Sequence, residues 1–341
     1  MFARAANEDP TVQAAIATVV FHKVDCEKGE GIEVAKRFNV RGYPTFKMVD
    51  GNGAELERWI GYDGPEVWAA LVAAGVADPR TLEAKAEAYK TEPTAVLARS
   101  LGNAAATTYD WKGAVDYFKA AAALDPADEA EYEESILSYT YYGSRGDDAA
   151  FGLDDVEGVA RKAFDREGQT PQGKLMIASM VTSVARDEGK PERAVPYLKD
   201  AMAAAEGSTD PELERPRSRL AVDYALLVEK DADKAVALKK AGQPEGWQDD
   251  AGRLNGFAWW CFENNVNLAE AQEMALKAVD LAADDQERAE VLDTLAEICH
   301  ALGNCDDAVA HMKRAIELQP DNGRYKEQLA RFEAAREAKK G

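Results

Sequence analysis

Between residues 95 and 126, apolar and small side chains return every three or four positions. Ala98, Leu101, Gly102 and Ala105 fall on one face of a helix, and Ala114, Val115, Phe118 and Ala121 on one face of a second. That spacing gathers side chains into a single stripe. Asp110 opens the second helix and Pro126 closes it. The same pattern returns in register at Leu292, Leu295, Ala296, Cys299, Gly303, Ala308, Met312, Ala315 and Pro320. Between these two copies the periodicity predicts helices over 132–142 with 156–164, 175–187 with 191–205, 213–229 with 232–240, and 254–263 with 268–281. A helix over 81–89 precedes the array, and a charged helix over 323–339 ends it. Pro196 should bend or shorten the first turn of its helix.

The first eighty residues follow another pattern. The run 17–24, ATVVFHKV, is rich in β-branched residues and predicts a strand. Strands are also predicted over 45–49 and 56–60, joined by Asp50-Gly51-Asn52-Gly53, a hairpin sequence because glycine and asparagine supply positive φ. Helices are predicted over 10–15, 31–38 and 65–74, the last with Val67, Trp68, Leu71 and Val72 apolar.

The order of small and large residues in 95–126 resembles a tetratricopeptide (TPR) repeat, a unit of about 34 residues. The sixth pair resembles it as well. Ala98 departs from the family, which usually places a tryptophan or another large apolar residue there. The resemblance implies a mainly α chain whose residues 79–341 form an α-solenoid of about six TPR-like helix pairs with a C-terminal cap helix. Stacked pairs of this kind curve around a concave face that receives an extended peptide or a partner's helix. The implied function is protein binding, without catalysis. Asn103 is the good match to the carboxylate-gripping residues of some relatives. Asp293 and Glu297 stand at the equivalent region of the sixth pair and would repel a carboxylate, so no carboxylate clamp is expected. Trp259 and Trp260, in Trp259-Trp260-Cys261-Phe262, are candidates for contact with a partner. At helical spacing such residues more often serve the core, one inside and its neighbour partly outside.

Residues 1–78 are similar to the later part of a thioredoxin-like α/β domain, through Gly42-Tyr43-Pro44-Thr45-Phe46, the glycine hairpin and Gly61-Tyr62. The resemblance implies a cis bond before Pro44. It also implies contact between an extended substrate and Tyr43, Pro44 and Thr45. The family's redox centre, C-x-x-C at a helix start after a central strand, is missing. Thiolate chemistry needs both sulfurs and the helix N-terminus that lowers the thiol pKa. Two expectations follow. Either the natural chain begins upstream of Met1 and is a truncated thiol–disulfide oxidoreductase whose repeats recruit clients. Or the domain is a redox-inactive remnant in a bacterial-type thioredoxin–TPR scaffold. A sheet lacking its middle strand exposes edges that invite a homodimer.

Composition narrows this little. The net charge of −21 disfavours nucleic acid and anionic membranes as partners. An acidic, solvated surface accounts for it. No apolar run reaches a membrane span, and no secretory leader is present, so the chain as it stands is expected in the cytoplasm, or in the periplasm if an upstream segment directs it there. Cys26, Cys261, Cys299 and Cys305 form no zinc-type spacing, and the sequence leaves Cys299 and Cys305 as two thiols or a pair. His300, His311, Asp306 and Asp307 share the sixth pair without supplying a tetrahedral ligand set. No catalytic residue, metal or cofactor is expected.

Overall fold

The structure is a computed structural model and describes residues 2–340. Among them are eighteen α-helices and a two-stranded sheet. The chain divides into two compact units, residues 1–197 and 198–341.

The first unit begins with α1 (Phe2–Glu8), α2 (Pro10–Ile16) and α3 (Gly31–Arg37), then β1 (Thr45–Val49), β2 (Glu55–Ile60) and α4 (Pro65–Ala77). Asp9 caps α2 by accepting from the amides of Thr11 and Val12, with Pro10 in its first turn. The strands pair antiparallel, Phe46 opposite Trp59 and Met48 opposite Glu57, with an irregularity after Met48. Val12, Trp59, Trp68 and Val72 form the core beneath them. The strand expected over 17–24 does not form. After α2 the chain makes one turn and then runs on from Val20 to Val24 without backbone hydrogen bonds among the described residues, and Val20 is fully exposed. β-propensity measures fit to a half-buried pleated surface, and this run has no paired neighbour to fit. β1 likewise pairs only with β2 among the described residues.

Helices then follow in pairs: α5 (Leu82–Thr91), α6 (Ala95–Ala106), α7 (Trp111–Leu124), α8 (Glu129–Gly143), α9 (Leu153–Asp165) and α10 (Pro171–Asp187). From α5 to α10 each packs on its neighbour in sequence, the pattern of an α-solenoid. Gly102 lies so close to the Phe118 ring that a Cβ there would stand 2.7 Å from it. The turn Pro191–Ala194 is a 3-10 helix preceding α11 (Val195–Ala204), the shortened start expected from Pro196.

The second unit continues with α12 (Pro211–Tyr224), α13 (Ala232–Ala241), α14 (Ala251–Glu263), α15 (Leu268–Leu281), α16 (Asp285–Ala301), α17 (Cys305–Leu318) and α18 (Gly323–Lys340). The helix expected to run through 229 changes to a π-helical turn at Ala225–Glu229. From α14 to α18, neighbours in sequence again pack together. Leu292, Leu295, Ala296, Cys299, Ala308, Met312 and Ala315 are all completely buried.

One turn recurs inside the helix pairs of both units. The amides of Asp110, Lys190, Val266 and Asn304 each bond to the carbonyl five residues back, at Ala105, Ala185, Cys261 and Cys299. The residue before each, Tyr109, Gly189, Asn265 or Gly303, has positive φ. This is the left-handed helix ending that satisfies terminal carbonyls.

Candidate partner-binding surface

The Tyr43–Pro44 peptide is cis, as expected. Tyr43 is 61% exposed. Its hydroxyl is pushed above the usual tyrosine range by desolvation, then by Cys26, Glu27 and Asp25. Thr45 Oγ1 donates to the Gly42 carbonyl at 2.7 Å, and the Gly61 amide to the Pro44 carbonyl at 2.9 Å. These bonds hold the loop against the end of β2.

The repeats reach this loop through the α6–α7 turn. Tyr109 donates its hydroxyl to the Arg41 carbonyl at 2.7 Å, and Arg41 donates to the Thr108 carbonyl at 3.1 Å. Gly42 lies close to both, since a Cβ there would stand 2.8 Å from the end of the Ile60 side chain and 3.1 Å from the Tyr109 hydroxyl. From Tyr109 a row of rings runs onto α8. Tyr109 stacks on Trp111 at 5.1 Å and 17°. Trp111 then faces Tyr139 at 6.1 Å and 22°, and Tyr142 at 5.8 Å and 33°. Tyr109 and Tyr142 are exposed, whereas Trp111 and Tyr139 are half-buried. Tyr139 has its hydroxyl pushed up by burial and by the Asp63 carboxylate. Asp63 is itself pushed above the ordinary carboxylate range by desolvation and by Glu134.

A buried polar cluster ties β2 to α5 and α6. Lys85 Nζ, 1% exposed, donates to the Leu56 carbonyl at 2.8 Å and to Glu57 Oε1 at 2.6 Å. Ser100 Oγ, 2.7 Å from Glu57 Oε2, donates to that carboxylate. A buried charge this well bonded fixes geometry, because either partner alone would be strongly disfavoured. Nothing in helical periodicity marks Lys85, an apparent surface residue of an Ala/Glu/Lys helix.

The other sequence candidates lie apart from the loop. Asn103, in the same unit, is 8% exposed on α6. Trp259 and Trp260 belong to α14 in the second unit, and both are half-buried. Trp260 packs against the core of the unit and Trp259 does not, close to the division expected for them. Phe257 and Cys261 take the inside positions of that helix. Trp259 packs on Phe262, and Lys239 Nζ lies 5.4 Å from the Trp260 ring centre. Asp293 and Glu297 are not open acids. Arg324 and Arg331 of α18 pair with them, and Gln328 donates to Glu297 at 2.8 Å. The α18 side chains thus neutralise the charge that would have repelled a carboxylate. All four cysteines are free, Cys299 and Cys305 included.

A cleft of about 760 Å³ between α8 and α9 offers no unpaired charge for a ligand. Lys162 spans Glu129 at 2.5 Å and Glu133 at 2.6 Å, and these bonds push its ammonium up to about 12. Arg166 holds Glu134 at 3.0 Å, and Arg161 holds Asp165. Among the described residues no group of three or more potential ligands could hold a metal, and no helix is long and apolar enough to cross a membrane.

No curated protein matches the chain in sequence. Among solved structures, a similar one is YrrB, described as a TPR protein with an unusual peptide-binding site. It is 16% identical over 76% of this chain and 100% of its own, with a TM-score of 0.34. Another is BtubC (BKLC) from P. vanneervenii, 16% identical over 62% of this chain and 89% of its own, with a TM-score of 0.36. Overlays this loose bear on neither fold nor function. Residues 289–322, which form most of α16 and all of α17, match the tetratricopeptide repeat family.

Proposed function

We propose that the chain is a protein-interaction scaffold of thioredoxin–TPR type that binds an extended peptide or a partner protein and performs no redox chemistry of its own. Residues 1–78 act in this reading as a partial thioredoxin-like module and residues 79–341 as the repeat array. The observation that carries it is the tetratricopeptide match at 289–322, since such repeats generally mediate protein–protein interaction. Tyr43, Pro44 and Thr45 would offer backbone and ring contacts to an extended segment. Asn103 on α6, and Trp259 and Trp260 on α14, would supply further contacts. The unpaired side of β1 is a place where a second copy could add a strand, since an open edge presents unpaired amides and carbonyls.

The test is to pan the full chain against random extended peptides and map the selected ones by hydrogen exchange. Protection at 43–45 or on α14 supports the reading. Failure to enrich any peptide over an unrelated helical protein would sink it. The chain should not accelerate reduction of insulin by dithiothreitol, because no two of its four cysteines form a C-x-x-C pair. Size-exclusion chromatography with light scattering tests the homodimer, which a monomer at all concentrations would refute.

A further inference from the structure

The run from Val20 to Val24 and strand β1 rest on the same aromatic floor. The Phe2 ring of α1 lies 6.0 Å from Phe21 and 4.7 Å from Phe46. The Trp68 ring of α4 lies 6.5 Å from Phe21 and 5.7 Å from Phe46. Helix α3 touches both segments as well. A Cβ on Gly31 would stand 3.1 Å from Val24 Cγ1, and Lys47 Nζ donates to the Phe38 carbonyl at the helix end. Lys47 points away from Phe46, so β1 has helices over both faces. Yet among the described residues no backbone hydrogen bond joins 20–24 to β1. Measured through the shared Phe2 ring, Phe21 and Phe46 are at most little more than two strand spacings apart, one spacing being about 4.8 Å. Direct pairing does not occur, and the interval holds no more than one further strand. Burial shows the same deficit. No residue of β1 is buried, whereas Leu56, Glu57 and Trp59 of β2 are. Phe21 is 37% exposed and Val49 40%.

We propose that the interval between residues 20–24 and β1 is a slot for one extended strand of a partner protein, about five residues long, as β1 is, and apolar on both faces. The proposal rests on the peptide-binding reading above and names where the extended segment lies. Both walls carry unpaired amides and carbonyls. A strand entering the slot gains main-chain hydrogen bonds on two sides, where addition to an open edge gains them on one. The helices above and below exclude water from its side chains, which calls for β-branched and aromatic residues rather than charged ones. A second copy fits less well. Its β1 would bring its own β2 alongside, and the run 20–24 leaves room for a single strand.

The experiment titrates the full chain with a synthetic peptide whose Val-Ile-Val-Phe-Val core is flanked by two lysines at each end. The control carries N-methyl groups on alternate core amides, which removes the donors along one edge at unchanged charge. The parent peptide should bind about tenfold more tightly than the control. Hydrogen exchange should show 20–24 and 45–49 protected together. His22→Pro and Lys23→Pro probe the first wall. Alternate amides of a strand face opposite sides, so one of the two should weaken the parent peptide about tenfold. The melting curves should stay in place, because these amides are unpaired in the free chain. Protection of 45–49 alone, or unchanged affinity in both proline variants, overturns the slot and leaves simple addition at the β1 edge. Protection of both segments without peptide, in a dimer by light scattering, gives the slot to a second copy and overturns the partner strand. Absence of binding overturns the slot alone when the random-peptide selection still enriches ligands at 43–45 or on α14. Failure of that selection as well overturns both readings.

Discussion

The layer built on β1 and β2 and the helix pair α16–α17 solve the burial problem in opposite ways. The helix pair buries small and medium side chains at helical spacing, and nine of them reach complete burial. Its two buried acids, Asp293 and Glu297, find their partners in α18 arginines rather than inside the pair. The sheet layer packs four large aromatics, Phe46, Trp59, Trp68 and Phe2, at centroid distances of 4.7–6.4 Å. Among the described residues it leaves the indole nitrogens of Trp59 and Trp68 and the Tyr62 hydroxyl without partners. Its junction with the repeats is the Lys85–Glu57–Ser100 cluster. A periodic helical core tolerates local loss because each element leans on its neighbours. A small sheet layer held by one buried charge pair should fail as a whole.

The largest effect should come from breaking that pair. Lys85→Met leaves Glu57 buried without its counter-charge and should cost about 3–5 kcal/mol. Hydrogen exchange should show β2 and α5 opening together, while α16 and α17 keep their protection. Adding Glu57→Gln to Lys85→Met should recover much of the loss. If the single variant melts like the parent, the junction does not hold the layer.

In the helix pair, Leu295→Ala removes a completely buried side chain and should cost about 2–5 kcal/mol. The loss should appear in urea unfolding as a local opening of α16–α18, with β1 and β2 unaffected. Equal loss of protection in the sheet would erase the contrast. Gly102→Ala, in the α6–α7 pair, is expected to cost about 1–3 kcal/mol, because the added methyl meets the Phe118 ring. Thermal melting checks it, and the double variant with Phe118→Leu should be less sensitive to the added methyl.

The smallest effect is a pH dependence. Asp293 is pushed above the ordinary aspartate range by burial, against the pull of Arg324. Its folded pKa exceeds its unfolded one, so the native state holds the proton more tightly. That stabilisation is complete below the unfolded pKa of about 4 and is lost as pH rises through the raised folded value. Asp293→Asn cannot titrate. The parent should therefore gain on this variant as pH falls across that window, measured by urea unfolding at several pH values. A constant difference would show that the buried acid does not titrate there.

Much of the repeat region was legible beforehand. The pairs 95–126 and 289–322 announce themselves because a helix returns every third or fourth residue to one face, and short connections force neighbours to pack. Gly189 and Gly303 even mark their turns. Tyr109 does not, since a tyrosine gives no hint of positive φ, yet it makes the same turn and starts the aromatic row. Tyr139 and Tyr142, three apart on α8, carried a readable signal of a shared face.

Sequence by itself determined the helical periodicity, the placement of helices along most of the chain, the β1–β2 hairpin and the lack of a C-x-x-C pair. Tertiary structure alone decided that 17–24 stays unpaired, that Lys85 is buried on Glu57, and that Arg324 and Arg331 neutralise Asp293 and Glu297. The reason is range. Helical hydrogen bonds and stripes are set within a few residues, whereas strand pairing and charge partnering depend on groups tens of residues away, whose approach no local pattern encodes.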